Sequence, residues 1–173
     1  MSDGLGWMSD RQRDGGLDRV PLPGDVAGAL WLCGKHAIGP DHRGVIDAVG
    51  GEATVVCLVE PHEIDARYPA YLAWLRAEHG RAAIWWPIHD LHAPPADRMR
   101  AFVGDLIDRL RRGDTLVVHC AAGMGRAGTT AASILVVLGV EVDDALRVVA
   151  TARPGAGPEV GAQRDLVDEL AAG

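Results

Sequence analysis

The chain has 173 residues and a mass of 18.3 kDa, the size of one domain with a short tail. Its net charge of −7 argues against nucleic acid or an anionic membrane surface as a partner. The three cysteines, Cys33, Cys57 and Cys120, lie in separate segments without zinc-binding spacing, which argues against a disulfide scaffold or a zinc ribbon. We therefore expect a reduced, cytoplasmic protein that needs no cofactor.

Residues 1–19 are polar and aperiodic, and we expect them to form a flexible tail before a domain over 20–173. From there on, short apolar runs alternate with helical stretches. The predicted strands are 29–33, 53–59, 82–88 and 115–119, and the predicted helices are 41–49, 62–79 (interrupted by Pro69), 96–112, 127–138, 143–152 and 158–171. This alternation indicates a single three-layer α/β domain, with a central mostly parallel sheet of about four to five strands flanked by helices.

Two of the helices have patterns that predict how they pack. The 96–112 helix has one apolar stripe, formed by Met99, Phe102, Val103, Leu106, Ile107 and Leu110. The 127–138 helix is apolar on every side, so we expect it to be the buried central helix.

The segment 115–129, TLVVHCAAGMGRAGT, carries the clearest chemical signal. A strand ends at a His-Cys pair, and a loop of small residues separates Cys120 from Arg126. Small residues allow successive backbone N–H groups to point inward as an anion-binding nest, to which a helix N-terminus adds its positive end. An arginine offers a bidentate fork to a tetrahedral oxyanion, and a cysteine at the base of such a nest is expected to be a thiolate near neutral pH. The predicted phosphate-binding residues are Ala121, Ala122, Gly123, Met124, Gly125 and Arg126.

This segment resembles the Cys-based phosphatases of the protein-tyrosine and dual-specificity superfamily, whose signature is His-Cys, five residues, then Arg. The matching residues are His119, Cys120, Gly123, Gly125 and Arg126. Upstream, the segment 87–95 is similar to the one that carries the family's general acid, with Asp90 lying 30 residues before Cys120. Downstream, Arg153-Pro154-Gly155 followed by Gln163 is similar to the small dual-specificity and Cdc14-like enzymes. By element order the resemblance covers about residues 20–172.

The resemblance implies a fold, a reaction and a set of roles. Cys120 would form a phosphocysteine intermediate, Arg126 and the loop amides would bind the phosphate, and Asp90 would act as general acid and then base. His119 would orient the loop, and Gln163 would position a water. The substrate would be a phosphorylated protein or a small phosphomonoester, with phosphotyrosine and also phosphoserine or phosphothreonine as targets. No metal is implied.

One residue departs from the family pattern. Ala127 stands where the family has Ser or Thr, whose hydroxyl assists the cysteine as leaving group, so we expect slow turnover with accumulation of phosphocysteine. An alternative is an inactive or slow phosphate-binding relative. An arsenate reductase or a sulfurtransferase is less favoured, because Cys33 and Cys57 resemble core residues and the loop has five residues between Cys120 and Arg126. The loop has no lysine, which disfavours an inositol lipid.

Several of these residues also have structural interpretations. Asp97 competes with Asp90 as the acid, but its position in a first helical turn favours a role at the helix N-terminus. Arg153 either holds the last loop or contacts substrate, and Gln163 either positions a water or lies on a solvated helix face. Two His/Asp groups lack the spacing of a metal site; they are His89-Asp90-His92 and His36-Asp41-His42.

Overall fold

The computed structural model describes residues 16–173 and contains five strands and seven helices in that range. The strands are β1 (Leu17–Val20), β2 (Ala29–Gly34), β3 (Thr54–Cys57), β4 (Ala83–Trp85) and β5 (Thr115–Cys120). The helices are α1 (Lys35–Ile38), α2 (His42–Ala48), α3 (Pro69–Glu78), α4 (Ala96–Arg111), α5 (Gly125–Val137), α6 (Val142–Ala152) and α7 (Ala162–Ala172). A 3₁₀ helix spans Pro61–Glu63.

The sheet has the strand order β1-β2-β5-β3-β4, and only the β1–β2 pair is antiparallel. This confirms the predicted α/β class with a mostly parallel sheet. The carboxyl ends of β2, β5, β3 and β4 meet at one edge, where Gly34 is paired in register with Cys120 and Cys57 with His119. The segments that follow these four strands are therefore brought together, which is where α/β sheets place their sites.

The buried helix and the striped helix pack as their patterns predict. Helix α5 is buried from Arg126 to Val136 and contacts α4, α6 and α7 as well as the sheet. Helix α4 buries every residue of its predicted apolar stripe, from Met99 to Leu110. Its first turn contains Asp97, and its last turn contains arginines. The favourable charges at both ends and the continuous apolar face explain why this segment is helical.

The structure corrects several predicted boundaries, among them those of the tail and of two helices. The predicted tail overlaps β1, which begins at Leu17 and pairs with β2, while residues 1–15 lie outside the described range. Helix α5 begins at Gly125, two residues earlier than predicted, which places Arg126 in its first turn. Helix α7 begins at Ala162 instead of 158, because Gly161 has a φ of 98° that a right-handed helix does not allow. No helix within residues 16–173 is long and apolar enough to cross a membrane.

Candidate functional site

The loop between β5 and α5 requires glycine at its turning point. Gly123 has a φ of 74°, a left-handed conformation that other residues adopt at a cost. A Cβ atom there would also lie 2.3 Å from the carbonyl oxygen of Cys33, so no larger residue fits without displacing β2. The loop is thus packed closely against the end of the neighbouring strand.

The loop carbonyl groups are hydrogen-bonded on the side away from its concave face. The backbone N–H of Lys35 donates to Ala121 O at 2.9 Å. Buried Arg153 donates from Nη2 to Ala122 O and from Nε to Gly123 O, both at 2.9 Å, and its Nη1 pairs with Asp18 at 2.8 Å. We considered that Arg153 either holds a loop or contacts substrate; these hydrogen bonds support the first of the two roles.

The backbone amides of residues 121–126 are left without hydrogen-bond acceptors among the described residues. The residues of this run are half-buried or buried, and successive free N–H groups at the start of a helix form a concave set of donors that can bind an exogenous acceptor. Since the carbonyl groups are engaged on the other side and the helix N-terminus adds partial positive charge, that acceptor is expected to be an anion.

Arg126 has one free hydrogen-bonding edge in this structure. Its side chain is 1% exposed, and Nη1 donates to Glu63 Oε2 and to Ile88 O, both at 2.8 Å, while Nη2 donates to Glu63 Oε1 at 2.7 Å. A guanidinium has five N–H donors, so Nε–H and one Nη2 hydrogen remain. The buried Nε has no hydrogen-bond partner, and Asp90 Oδ1 lies 3.5 Å from it. This edge matches the spacing of two oxygens of a phosphate.

Glu63, which sequence reasoning missed, orients Arg126. Burial alone would raise the pKa of Glu63, but its hydrogen bonds with Arg126 and with the Glu60 amide outweigh burial and lower it. Burial likewise disfavours the charged form of Arg126, but Glu63 and nearby Cys120 reverse this and raise its pKa. Glu63 and Glu60 form a capping box on the 3₁₀ helix. That three-residue spacing was visible in the sequence, but the pairing with Arg126 was not.

Asp90 lies beside the free edge of Arg126, on the segment that follows β4. Its side chain is 66% exposed, and one carboxylate oxygen accepts a hydrogen bond from the Leu91 amide at 3.0 Å. Leu91 is the one non-glycine residue with a positive φ (62°) within the described range, which marks a tight turn at this point. Asp97 lies instead in the first turn of α4, as predicted.

His119 is fully buried and neutral. Its Nδ1 faces the Cys120 carbonyl oxygen at 3.2 Å, so Nδ1 carries the proton, and the Tyr71 hydroxyl donates to Nε2 at 2.6 Å. Burial lowers the pKa of His119 to about 4, with a further contribution from Arg126. The imidazole is therefore uncharged at neutral pH and is held next to Cys120 by two hydrogen bonds.

Gln163 is buried beside the loop and does not lie on a solvated helix face. Its Oε1 accepts a hydrogen bond from the Glu159 amide at 2.9 Å, and Thr129 Oγ1 lies 3.2 Å from the same oxygen. Its Nε2 donates to His92 O at 3.4 Å, and a Cβ atom on Gly125 would lie 3.3 Å from Oε1. Gln163 thus connects the Asp90 segment with the start of α5.

The three cysteines have different environments. Cys33 and Cys57 are buried in the core, and burial raises the pKa of both thiols to about 12. Cys120 lies at the base of the loop, at the end of β5, and is a buried cysteine without a disulfide. Ala127 is buried, and the neighbouring hydroxyls of Thr129, Thr130 and Ser133 each donate to a helix carbonyl four residues back.

The two His/Asp groups do not converge on a metal site. His89 bonds Glu60 at 2.9 Å, and His92 bonds the Asp90 carbonyl at 2.8 Å. Within residues 16–173, no three His, Cys, Asp or Glu side chains are placed to hold a metal ion.

The chain is similar to known phosphatase domains in sequence and in fold. Residues 43–168 match the family model described as PTP-SAK, Swiss Army Knife protein, DSP-PTPase phosphatase domain. The active form of Tk-PTP is 24% identical, with a TM-score of 0.66 over 90% of this chain and 97% of that one. No curated protein sequence matches the chain significantly.

Two further structures share the fold at lower identity. Kinase associated phosphatase (KAP), with its catalytic cysteine replaced by serine, has a TM-score of 0.73 at 18% identity, covering 92% of this chain and 97% of that one. The human tyrosine phosphatase-like serine/threonine/tyrosine-interacting protein has a TM-score of 0.67 at 16% identity, covering 90% of this chain and 95% of that one.

Proposed function

The chain belongs to the Swiss Army Knife family of DSP-PTPase phosphatase domains, and we propose that it dephosphorylates proteins through a covalent intermediate on Cys120. The observation that carries this proposal is the free edge of Arg126, a buried guanidinium whose Nε–H has no hydrogen-bond partner. It lies in the same loop as the six unpaired amides of residues 121–126. Together they provide donors for the three equatorial oxygens of a phosphoryl group in transfer.

In the first step, the Cys120 thiolate attacks phosphorus in line with the leaving oxygen. The S–P bond forms as the P–O bond breaks, and Asp90 transfers its proton to the departing oxygen. Asp90 is suited to this because its carboxylate lies 3.5 Å from the Arg126 edge that would hold the phosphate. General acid assistance of this kind is worth about 10²–10⁴-fold in rate.

In the second step, water attacks phosphorus, the S–P bond breaks, and Cys120 leaves as thiolate. Asp90, now a carboxylate, takes a proton from that water. Gln163 is a candidate to position the water, because its side chain amide is buried between the Asp90 segment and Gly125. His119 donates to the Cys120 carbonyl and so supports the loop backbone without reacting.

The proposal is tested by hydrolysis of p-nitrophenyl phosphate. We expect Cys120→Ser to abolish turnover and Asp90→Asn to lower kcat by about 10²-fold or more. Asp97→Asn is the matched control, since Asp97 lies in the first turn of α4, and its kcat should remain within twofold of wild type. Equal rates for wild type and Cys120→Ser would end the proposal, and a loss in Asp97→Asn alone would transfer the acid role to Asp97.

A second candidate, a slow relative that mainly binds phosphate, is favoured by Ala127. The three hydroxyls of α5 nearest to it are already engaged with helix carbonyls, so none is free to assist the departure of Cys120. We expect a pre-steady-state burst of p-nitrophenol in wild type, and a faster steady-state rate with a smaller burst in Ala127→Ser. Brisk turnover without a burst in wild type would contradict this candidate.

The substrate class and the compartment are also part of the proposal. Phosphotyrosine and phosphoserine or phosphothreonine in proteins remain the favoured targets, since the loop offers no lysine for an inositol headgroup. A structural neighbour, PTPMT1, was crystallised with PI(5)P, which is a property of that protein. The buried, high-pKa thiols of Cys33 and Cys57 weigh against an arsenate reductase. Three unpaired cysteines suit a reducing, cytoplasmic location.

A further inference from the structure

Lys35 is the only lysine of the sequence, and it lies beside the phosphate-binding loop. It follows the carboxyl end of β2, where its backbone N–H donates to Ala121 O at 2.9 Å. Its Nζ donates to Glu63 O at 3.0 Å, while the Glu63 carboxylate pairs with Arg126. One residue, Glu63, therefore separates the ammonium of Lys35 from the guanidinium that would hold the phosphate.

A second cation, Arg67, lies near His36, the residue that follows Lys35. Its guanidinium carbon is 5.8 Å from the centre of the Tyr68 ring, and the Tyr68 hydroxyl bonds His36, the residue next to Lys35. Burial, together with repulsion from Arg67 and Lys35, lowers the pKa of His36 and so disfavours its charged form. The positive charge around His36 therefore comes from Lys35 and Arg67.

Neither Lys35 nor Arg67 forms an ion pair with a carboxylate of residues 16–173. The Glu63 carboxylate, which Lys35 attracts at longer range, is engaged with Arg126, and Glu60 is engaged with His89. An ammonium has three donors, and the Glu63 carbonyl takes one of those of Lys35, so two remain. In a chain with a net charge of −7, two unpaired cations beside the loop are available to an anionic ligand.

We propose that Lys35 and Arg67 form a second anion subsite beside the phosphate-binding loop, which selects phosphoprotein substrates with an acidic residue next to the phosphorylated one. This rests on the proposed function, because it assigns the loop to the phosphate of the same substrate. The flanking carboxylate would accept hydrogen bonds from the Lys35 ammonium, and Arg67 would add attraction at longer range. Such a subsite would allow a protein with a net charge of −7 to hold an acidic peptide near the loop.

The test uses two phosphotyrosine peptides that differ only in having Glu or Gln on both sides of the phosphotyrosine. We expect wild type to favour the Glu peptide about fivefold in kcat/KM, the size of one partly exposed ion pair. In Lys35→Met the ratio should fall to about one, and Lys35→Arg should retain most of it. Salt at 0.5 M should reduce the wild-type ratio, because exposed charges are screened.

Arg43→Gln is the matched control. It removes one positive charge from α2, where Arg43 lines a cavity with Thr54 and Thr115 at the opposite edge of the sheet. Its peptide ratio should equal that of wild type. A wild-type ratio near one, or a preference that persists in Lys35→Met, would overturn the subsite. So would a soluble inositol bisphosphate with a higher kcat/KM than the Glu peptide.

A binding measurement separates the subsite from the proposed function. The affinities of the two peptides for Cys120→Ser, measured by calorimetry, report the subsite without any turnover. A fivefold difference in Kd there, together with inactive wild type, would support the subsite and refute the phosphatase reaction. Equal Kd values with an active wild type would refute the subsite alone.

Discussion

Replacing Glu63 by Gln should reveal how strongly Arg126 depends on one buried carboxylate. Gln has the shape of Glu and can still accept one hydrogen bond, but it removes the charge that balances Arg126. The pair is largely buried, with side-chain exposures of 1% for Arg126 and 13% for Glu63 and hydrogen bonds of 2.7 and 2.8 Å. Removing one partner of a buried pair entirely costs about 3–5 kcal/mol.

Because the amide keeps one hydrogen bond, we expect Glu63→Gln to lower the free energy of unfolding by about 2–3 kcal/mol. For a domain of this size that corresponds to a fall in Tm of roughly 4–12 °C, measured by circular dichroism or calorimetry at pH 7. The matched control is Glu78→Gln. It removes an ion pair of similar length, 2.8 Å between Glu78 Oε1 and Arg81 Nη2, in which the Arg81 side chain is 72% exposed. That change should cost less than about 1 kcal/mol.

The pH dependence of this difference has a definite sign. The pKa of Glu63 is lowered in the folded protein, so the ionised carboxylate contributes stability at neutral pH, and this is lost as pH falls through the folded-state pKa. The Tm of wild type should therefore approach that of Glu63→Gln under acid conditions. Equal Tm values at pH 7, or a gap that widens in acid, would refute the reasoning.

Two further predictions concern the loop and the residue beneath it. Gly123→Ala should lower the free energy of unfolding by roughly 2–4 kcal/mol, from positive φ and a 2.3 Å contact with the Cys33 carbonyl. By contrast, Gly104→Ala within α4 should raise the free energy of unfolding by about 0.5–1 kcal/mol, because a Cβ atom there would meet nothing within 4 Å. Both changes are measured by denaturant titration. His119 has a folded pKa of about 4 against an ordinary 6.5, so the unfolded chain binds its proton first as pH falls. Wild-type stability should thus drop between pH 6.5 and 4 by up to about 1.4 kcal/mol per pH unit from this residue, and a slope unchanged in His119→Asn would contradict that.

The sequence by itself determined the sheet–helix alternation and the identity of the loop. Both features can be recognised from residues close together in the chain. The apolar periodicity predicts helices α4 and α5, and the glycines and alanines between Cys120 and Arg126 predict the loop. A pattern that repeats every two or four residues records which face of an element is buried. It does not record which other element covers that face.

Tertiary structure decided how the loop residues are held. Glu63 reaches Arg126 across 63 positions, Arg153 reaches the loop carbonyls across 30, and Tyr71 reaches His119 across 48. Glu63 and Tyr71 reach their partners because the segment that follows β3 meets the end of β5 at the edge where parallel strands bring their carboxyl ends together. Arg153 reaches the loop from the end of α6. Strand β1 was missed for a different reason: its four residues, Leu17–Val20, have too little local pattern to predict a strand, and their antiparallel pairing with β2 is a tertiary contact.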